Sequence, residues 1–469
     1  MNRRKRSPRG DSSSGKSVGT AQQYLAGRDG DCPRTPEPAP APSTRGETPP
    51  SGNTGDTGKK SALTTPGPAQ PTSQRTTFRK AHSLIDKVYS RKNLYQAWRK
   101  VRKNKGAHGL DRVTIRMFEA DLENNLRALQ RQLRERRYEP IPTRRVYIPK
   151  GPDSKTRRPI SIPTVADRVV QQALYLVLNP IFEADFSDRS YGARPGRRAH
   201  HAIETIIQDQ KDGFHYVVDA DIKSFFDCID HQVAMSLIRQ KVADGRVLDL
   251  LEAFLKAGIS EAGTIHIPTE GAPQGGVISP LVSNIVLDQL DKALEAKGWR
   301  FVRYVDDFVV LTRSEEEAAQ ALAYVKDVLQ GLNLTLNEEK TRISTFRTGF
   351  DFLGFRLQAR TVGVRSKSLD RLKDKIRYLT RRQQGKNVEA ILEKLNPVIR
   401  GWARYFGWGN VKRLFWRLDQ WTRSRIRSFK LKRRCRNDNH RIPNRRIEKW
   451  GLLSLQQCRP NERFAAGGA

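Results

Sequence analysis

The sequence predicts an α+β fold, and three observations carry that expectation. Short runs of strand-forming residues deliver carboxylates, at Tyr216–Asp221 and in Phe301-Val302-Arg303-Tyr304-Val305-Asp306-Asp307-Phe308-Val309-Val310-Leu311. Apolar-periodic segments of helical length accompany them, at 165–183, 281–296 and 316–331. From about residue 365 the character changes to helical spacing with interleaved aromatics, from Trp402 through Phe429.

Residues 1–75 are rich in Ser, Thr, Gly and Pro and poor in large apolar residues. Such a composition cannot offset the entropy of ordering, so a disordered tail is expected. Around 84–137, Leu94, Trp98 and Val101 share one helical face beside many cations, which predicts a basic helix pair. Arg144–Lys150 reads as a strand, and Lys155–Pro163 as a basic turn and strand. The helix at 165–183 is apolar enough to be buried. Gly271-Ala272-Pro273-Gln274-Gly275-Gly276 is a glycine-rich loop leading into the helix at 281–296. Its glycines permit close backbone approach, and Gln274 offers an amide to a ligand. Three further helices are expected near 367–383, 387–401 and 412–430.

Two strand runs flanking adjacent acids read as a β-hairpin with Asp306 and Asp307 at its turn. Neighbouring acids at such a tip point in different directions, so one can hold a metal while the other supports it. Asp221, at the C-terminal end of its own strand, supplies a third carboxylate. Hard oxygen ligands from two strands suit Mg²⁺ and two-metal phosphoryl transfer.

The chain of 469 residues carries a net charge of +36. That excess implies a polyanionic partner, nucleic acid before an anionic membrane. No apolar run approaches the ~20 residues that span a bilayer, and no secretory leader is visible. Four scattered cysteines without a CxxC pair indicate neither disulfides nor a zinc ribbon, so a reducing, cytoplasmic setting is expected. Residues 365–450 hold 27 Lys or Arg against 7 Asp or Glu, a charge of +20 that calls for an anionic partner.

Taken together, these residues resemble the reverse transcriptases encoded by group II introns, over roughly residues 80–450. The resemblance implies a right-hand polymerase: fingers and palm at 80–360, an α-helical thumb or maturase domain at 365–430, and a basic DNA-binding-like tail at 431–469. It implies that Asp221, Asp306 and Asp307 are the palm acids, with the Ile222 carbonyl as a further metal ligand for two Mg²⁺ ions, Mn²⁺ being the alternative. The family's hairpin usually has Ala where this chain has Val305, a larger side chain beside the primer terminus. Lys155, Arg157 and Arg158 lie where the fingers present cations to a triphosphate. Phe226 matches a ring that excludes a ribose 2′-OH, and Gln274 belongs to the nucleotide pocket. Lys340, in Asn337-Glu338-Glu339-Lys340-Thr341, matches a proton donor to departing pyrophosphate. Ser190–Arg197, with Arg194 and Arg197, matches a template-contacting loop. Phe352-Leu353-Gly354-Phe355 resembles the turn that grips the primer. Leu395–Phe406 resembles the thumb, adding Arg400 and Arg404 as nucleic-acid contacts. Arg423, Arg425 and Arg427 follow as a thumb cluster for RNA.

What the resemblance implies is a bacterial RNA-directed DNA polymerase in the cytoplasm, associated with the nucleoid. Its partners would be its group II intron RNA, an RNA template, a DNA primer or target, and dNTPs, with no membrane. It would promote splicing and retrohoming by target-primed reverse transcription. The family's endonuclease domain is expected to be absent, since no Cys pair or His–Asn–His cluster follows. Two alternatives stay open: a free-standing relative in repair or defence, and a pure RNA-binding splicing factor.

Overall fold

The computed structural model describes residues 80–149, 157–433, 438–461 and 464. The expected N-terminal tail and Lys155 lie outside them, as do four residues of the basic stretch at 434–437.

The expected basic helix pair is four helices: α1 (Ile85–Tyr89), α2 (Arg91–Lys103), α3 (Ile115–Ala120) and α4 (Leu122–Arg134). Local capping makes the difference. The Ser90 hydroxyl accepts from Asn93 N and starts α2, and the Thr114 hydroxyl accepts from Met117 N and starts α3. Strands β1 (Thr143–Pro149) and β2 (Arg157–Ile162) form a hairpin, and α5 (Val165–Glu183) is the buried helix. Next come α6 (Ala199–Lys211), β3 (Tyr216–Asp221), a 3₁₀ turn at Phe225–Asp227, α7 (His231–Lys241) and α8 (Gly245–Leu255). Strands β4 (Ile259–Glu261) and β5 (Thr264–His266) complete a four-stranded fingers sheet of order β2-β1-β4-β5.

Helix α9 (Ser279–Ala296) leads into β6 (Arg300–Tyr304), β7 (Asp307–Thr312), α10 (Glu315–Gly331) and β8 (Arg342–Thr345). The palm sheet has the order β6-β7-β3-β8. Strand periodicity divides its two faces. Val218, Ala220, Phe301, Phe308 and Val310 enter one apolar core with α5 and α9. Val217, Val302, Val309 and Leu311 enter a second core. Asp219, Asp221 and Asp307 alternate onto that second face, where the apolar packing gives way to carboxylates.

Strands β9 (Phe350–Phe352), β10 (Phe355–Gln358) and β11 (Thr361–Val364) make a small antiparallel sheet. Helices α11 (Ser366–Leu379), α12 (Val388–Phe406), α13 (Lys412–Lys430) and α14 (Asn444–Lys449) follow. Ile391, Leu395, Ile399 and Phe406 on α12 pack with Phe415, Leu418 and Ile426 on α13, at helical spacing. They share one core with Phe350, Phe355, Leu357 and the palm's second face. The helical unit does not stop at 430: Ile442, Ile447, Leu452 and Leu455 belong to the same core. The expected tail is therefore, over its described residues, part of the thumb. Asp419 on α13 anchors it, accepting from Leu455 N at 2.8 Å and from the Ser454 hydroxyl at 2.7 Å.

Candidate active site and nucleic-acid interface

Backbone register brings the acids together. Asp221 and Asp307 are direct partners across β3 and β7, on the same face of the sheet. Tyr304 pairs with Asp307 across β6 and β7, so Val305 and Asp306 form the two-residue turn. Asp307 is thus the first strand residue rather than a turn residue. Like charges directly opposite one another destabilise a sheet unless something offsets them. The electrostatics register this. Desolvation, then Asp306, Asp221 and Asp219, push the Asp307 carboxyl up to about 6. Asp306 is also raised, chiefly by desolvation and further by Asp221.

One cation already closes on the group. Asn337 N donates to Asp221 O at 2.7 Å, which lays the 337–341 turn along the end of β3. Lys340 Nζ then reaches Asp221 Oδ2 at 2.6 Å. Among the described residues no three His, Cys, Asp or Glu side chains converge closely enough to hold a metal ion. The donor set nevertheless fits a hard divalent cation: carboxylate oxygens from two strands, mutually repelling, with one exposed lysine as counter-charge. Ile222 sits directly after Asp221, its side chain buried, bridged to Leu336.

The glycine-rich loop joins fingers to palm. Ser161 N, on the open edge of β2, donates to Gln274 O at 2.7 Å. Gly275 has φ +117°, and a Cβ there would sit 2.4 Å from Ser161 O. Only glycine permits that approach. Arg158 Nε then donates to Gln274 Oε1 at 3.1 Å, so two expected nucleotide-site residues meet. Gln171 of α5 supports the loop from beneath, accepting from Val277 N at 2.7 Å. Phe225 is buried, whereas Phe226 is half-buried, edge-on to Phe225 with centroids 5.4 Å apart. Phe226 is thus the more exposed ring of the pair.

The expected nucleic-acid contacts divide. Arg400 and Arg404 are exposed on α12 and line a cleft of about 750 Å³. Arg198, Tyr304, Trp408 and Cys458 share that lining, so the cleft begins beside the acidic hairpin. Arg198 lies over the Trp408 ring, 5.8 Å from its centroid. Phe352-Leu353-Gly354-Phe355 is the turn between β9 and β10, held by the Tyr405 hydroxyl donating to Leu353 O at 2.9 Å.

Three other arginines, Arg194, Arg425 and Arg427, are turned inward, which corrects the expectation for them, whereas Arg423 forms an ion pair with an exposed carboxylate. Arg194 is buried, ion-paired with Glu183 at 2.9 Å and donating to Ser187 O and to Ser190 O. It braces its loop from within. Arg427 is also buried and donates to Ile442 O at 2.8 Å and Asn444 Oδ1 at 2.6 Å. Arg425 donates to Thr380 Oγ1 at 3.0 Å and Thr380 O at 3.1 Å. Arg423 faces Glu448 at 3.4 Å. In the helical unit, the guanidinium forks of Arg425 and Arg427 serve backbone carbonyls and polar side chains. Arg197 is half-buried and paired with Asp188 at 2.6 Å.

Sequence reading missed a buried network behind the hairpin. Arg303 holds Asp291 of α9 with two bonds, at 2.7 and 2.5 Å, and both residues are fully buried. The visible signal was an arginine inside an otherwise apolar strand.

Residues 148–357 match the family described as reverse transcriptase (RNA-dependent DNA polymerase), and residues 369–447 match the maturase-specific domain of group II introns. Protein YkfC of Escherichia coli is 36% identical over 305 residues, spanning 56% of this chain and 80% of that protein. The group II intron-encoded protein LtrA of Lactococcus lactis is 30% identical over 344 residues, spanning 58% of this chain and 56% of its own length. Nuclear intron maturase 1 of Arabidopsis thaliana is 26% identical over 264 residues, spanning 45% and 35% of the two chains. No helix among the described residues is long and apolar enough to cross a membrane. With palm acids, fingers loop and helical thumb in this order, the chain belongs to the group II intron reverse transcriptase–maturases, RNA-directed DNA polymerases by class.

Proposed function

We propose that this chain extends a primer on an RNA template, with Asp221, Asp306 and Asp307 holding two divalent ions, Mg²⁺ foremost. The observation that carries the reading is the pairing of Asp221 with Asp307 on one sheet face, with Asp306 in the adjoining turn. When bound, the ions supply charge neutralisation at the α-phosphate and acidify the primer 3′-hydroxyl. The protein's own work is positioning. Gln274 and Arg158 form one wall of a dNTP pocket whose sugar end is closed by Phe226. Lys340, which pairs with Asp221 at the end of β3, would face the departing pyrophosphate and could donate a proton to it. Arg400, Arg404 and Arg198 run from the hairpin along the thumb and suit a nucleic-acid backbone.

The maturase-specific match supports a second task, the binding of group II intron RNA to promote splicing and mobility. That binding would rest on exposed basic surface and on shape. Asp306→Asn keeps size and removes a ligand charge. Primer extension should fall at least ~10³-fold, while affinity for structured RNA stays at the wild-type level. Extension by Asp306→Asn at a near wild-type rate would sink the reading.

A further inference from the structure

The acidic hairpin is strained, and its restraint lies on the opposite face of the sheet. Val305 has φ +61°, the left-handed region, which a β-branched residue adopts only under constraint. Asp306 follows immediately, so the direction of its carboxylate depends on that turn being held. Arg303 Nη1 donates to Val305 O at 3.0 Å and to Asn284 Oδ1 at 2.9 Å. Nε and Nη2 are held by Asp291, which restrains the guanidinium from turning away. Asn284 Nδ2 donates in turn to Gly192 O at 3.0 Å. Gly192 lies against the same turn from the other side: a Cβ there would be 2.3 Å from Val305 N. Tyr191 N donates to Arg303 O and Arg303 N to Arg189 O, so the 189–192 segment is stitched to β6 as well. The turn is therefore clamped between a buried side-chain fork and a backbone that only glycine allows.

We propose that Arg303 is a positioning residue of the polymerase, holding the left-handed turn so that Asp306 meets its metal, with Asn284 and Asp291 orienting the guanidinium. This rests on the assignment of Asp306 as a metal ligand. Replacing Arg303 by Met would strand the Asp291 carboxylate in the core and unfold the chain, so it tests nothing. Arg303→Lys keeps the charge opposite Asp291 and gives up the planar fork that reaches Val305. Asn284→Ala leaves the ion pair whole and removes the link to Gly192.

Steady-state primer extension, a Mg²⁺ titration and thermal melts on these two variants test the idea. Arg303→Lys should lower kcat by roughly 10–100-fold. KM for dNTP should stay within about threefold, and the half-saturating Mg²⁺ concentration should rise. Asn284→Ala should shift the same quantities in the same direction, and it decides the matter if Arg303→Lys does not fold. Adding Val305→Gly, which takes φ +61° without strain, should return most of the lost kcat to Arg303→Lys without returning its Tm. The proposal is overturned by unchanged kcat and Mg²⁺ dependence in folded variants. It is equally overturned if activity follows Tm alone and Val305→Gly rescues nothing. Asp306→Asn runs alongside: wild-type activity there removes the catalytic assignment itself, whatever Arg303 does.

Discussion

Asp307 carries a cost in the metal-free protein. Its folded pKa of about 6 lies above the ordinary carboxylate value, so between pH ~4 and ~6 the folded state binds more protons than the unfolded chain. The stability due to this group therefore declines as pH rises through that window, and the penalty is complete above pH ~6. Asp307→Asn should raise the Tm of the metal-free protein by about 1–2 °C at pH 7.5, since solvent screening leaves a penalty of about 1 kcal/mol in a unit of this size. The gain should vanish near pH 4, and it should be absent at pH 7.5 when saturating Mg²⁺ offsets the repulsion in wild type. Differential scanning fluorimetry across pH decides this. Phe226 makes a separate prediction: Phe226→Ala should raise ribonucleotide incorporation at least several-fold while Tm changes little, because Phe225 carries the buried share of the pair. Unchanged sugar selectivity in the folded variant would exclude the gate. That Asp221, Asp306 and Asp307 would gather was legible because an acid in an apolar strand has no packing reason to be there. The role of Arg303 was not legible, because its partner Asp291 sits on a helix and only the folded register shows them adjacent.

At the level of elements, secondary structure was easier to read than the direction in which cations face. Helix α5 falls on the span that its apolar residues mark, and α13 likewise. The arginines of α13 could not be assigned from spacing, because α11 covers one side of that helix and the 438–461 segment another. A helical wheel gives exposed faces only for a helix with a single covered side. Two arginine sites should consequently behave differently. Arg400→Gln with Arg404→Gln should weaken RNA and primer-template binding, and should flatten the salt dependence by ~0.7–0.9 log units for each phosphate no longer neutralised. Tm should hold. Arg427→Ala should lower Tm by several degrees, because it leaves Ile442 O and Asn444 Oδ1 unpaired in the interior at about 1–3 kcal/mol. Filter binding over a salt series, paired with melts, separates the two. Equal binding in the Arg400/Arg404 variant would remove the cleft from the nucleic-acid path.

On the scale of the whole molecule, thumb and palm are one packing unit over the described residues. The sequence suggested a boundary near 360–365, where charge and periodicity change. Packing ignores it: Val217 and Val309 of the palm, Phe350 and Phe355 of the small sheet, and Ile399 and Phe415 of the thumb lie in one core. Composition reports what solvent and ligand see, whereas a core is assembled from residues distant in sequence. A fragment beginning at Ser366 and ending at Phe464 should therefore keep helical circular dichroism but melt without a cooperative transition. The same fragment begun at Thr345, which restores β9–β11, should recover part of that cooperativity. A sharp unfolding transition in the shorter piece would mean that the thumb folds on its own. Chimaeras inherit this constraint. Exchanging thumbs between relatives, by natural recombination or in the laboratory, requires the crossover to lie upstream of the small sheet. A splice at the apparent compositional border would pair a foreign helical bundle with a core surface shaped for another.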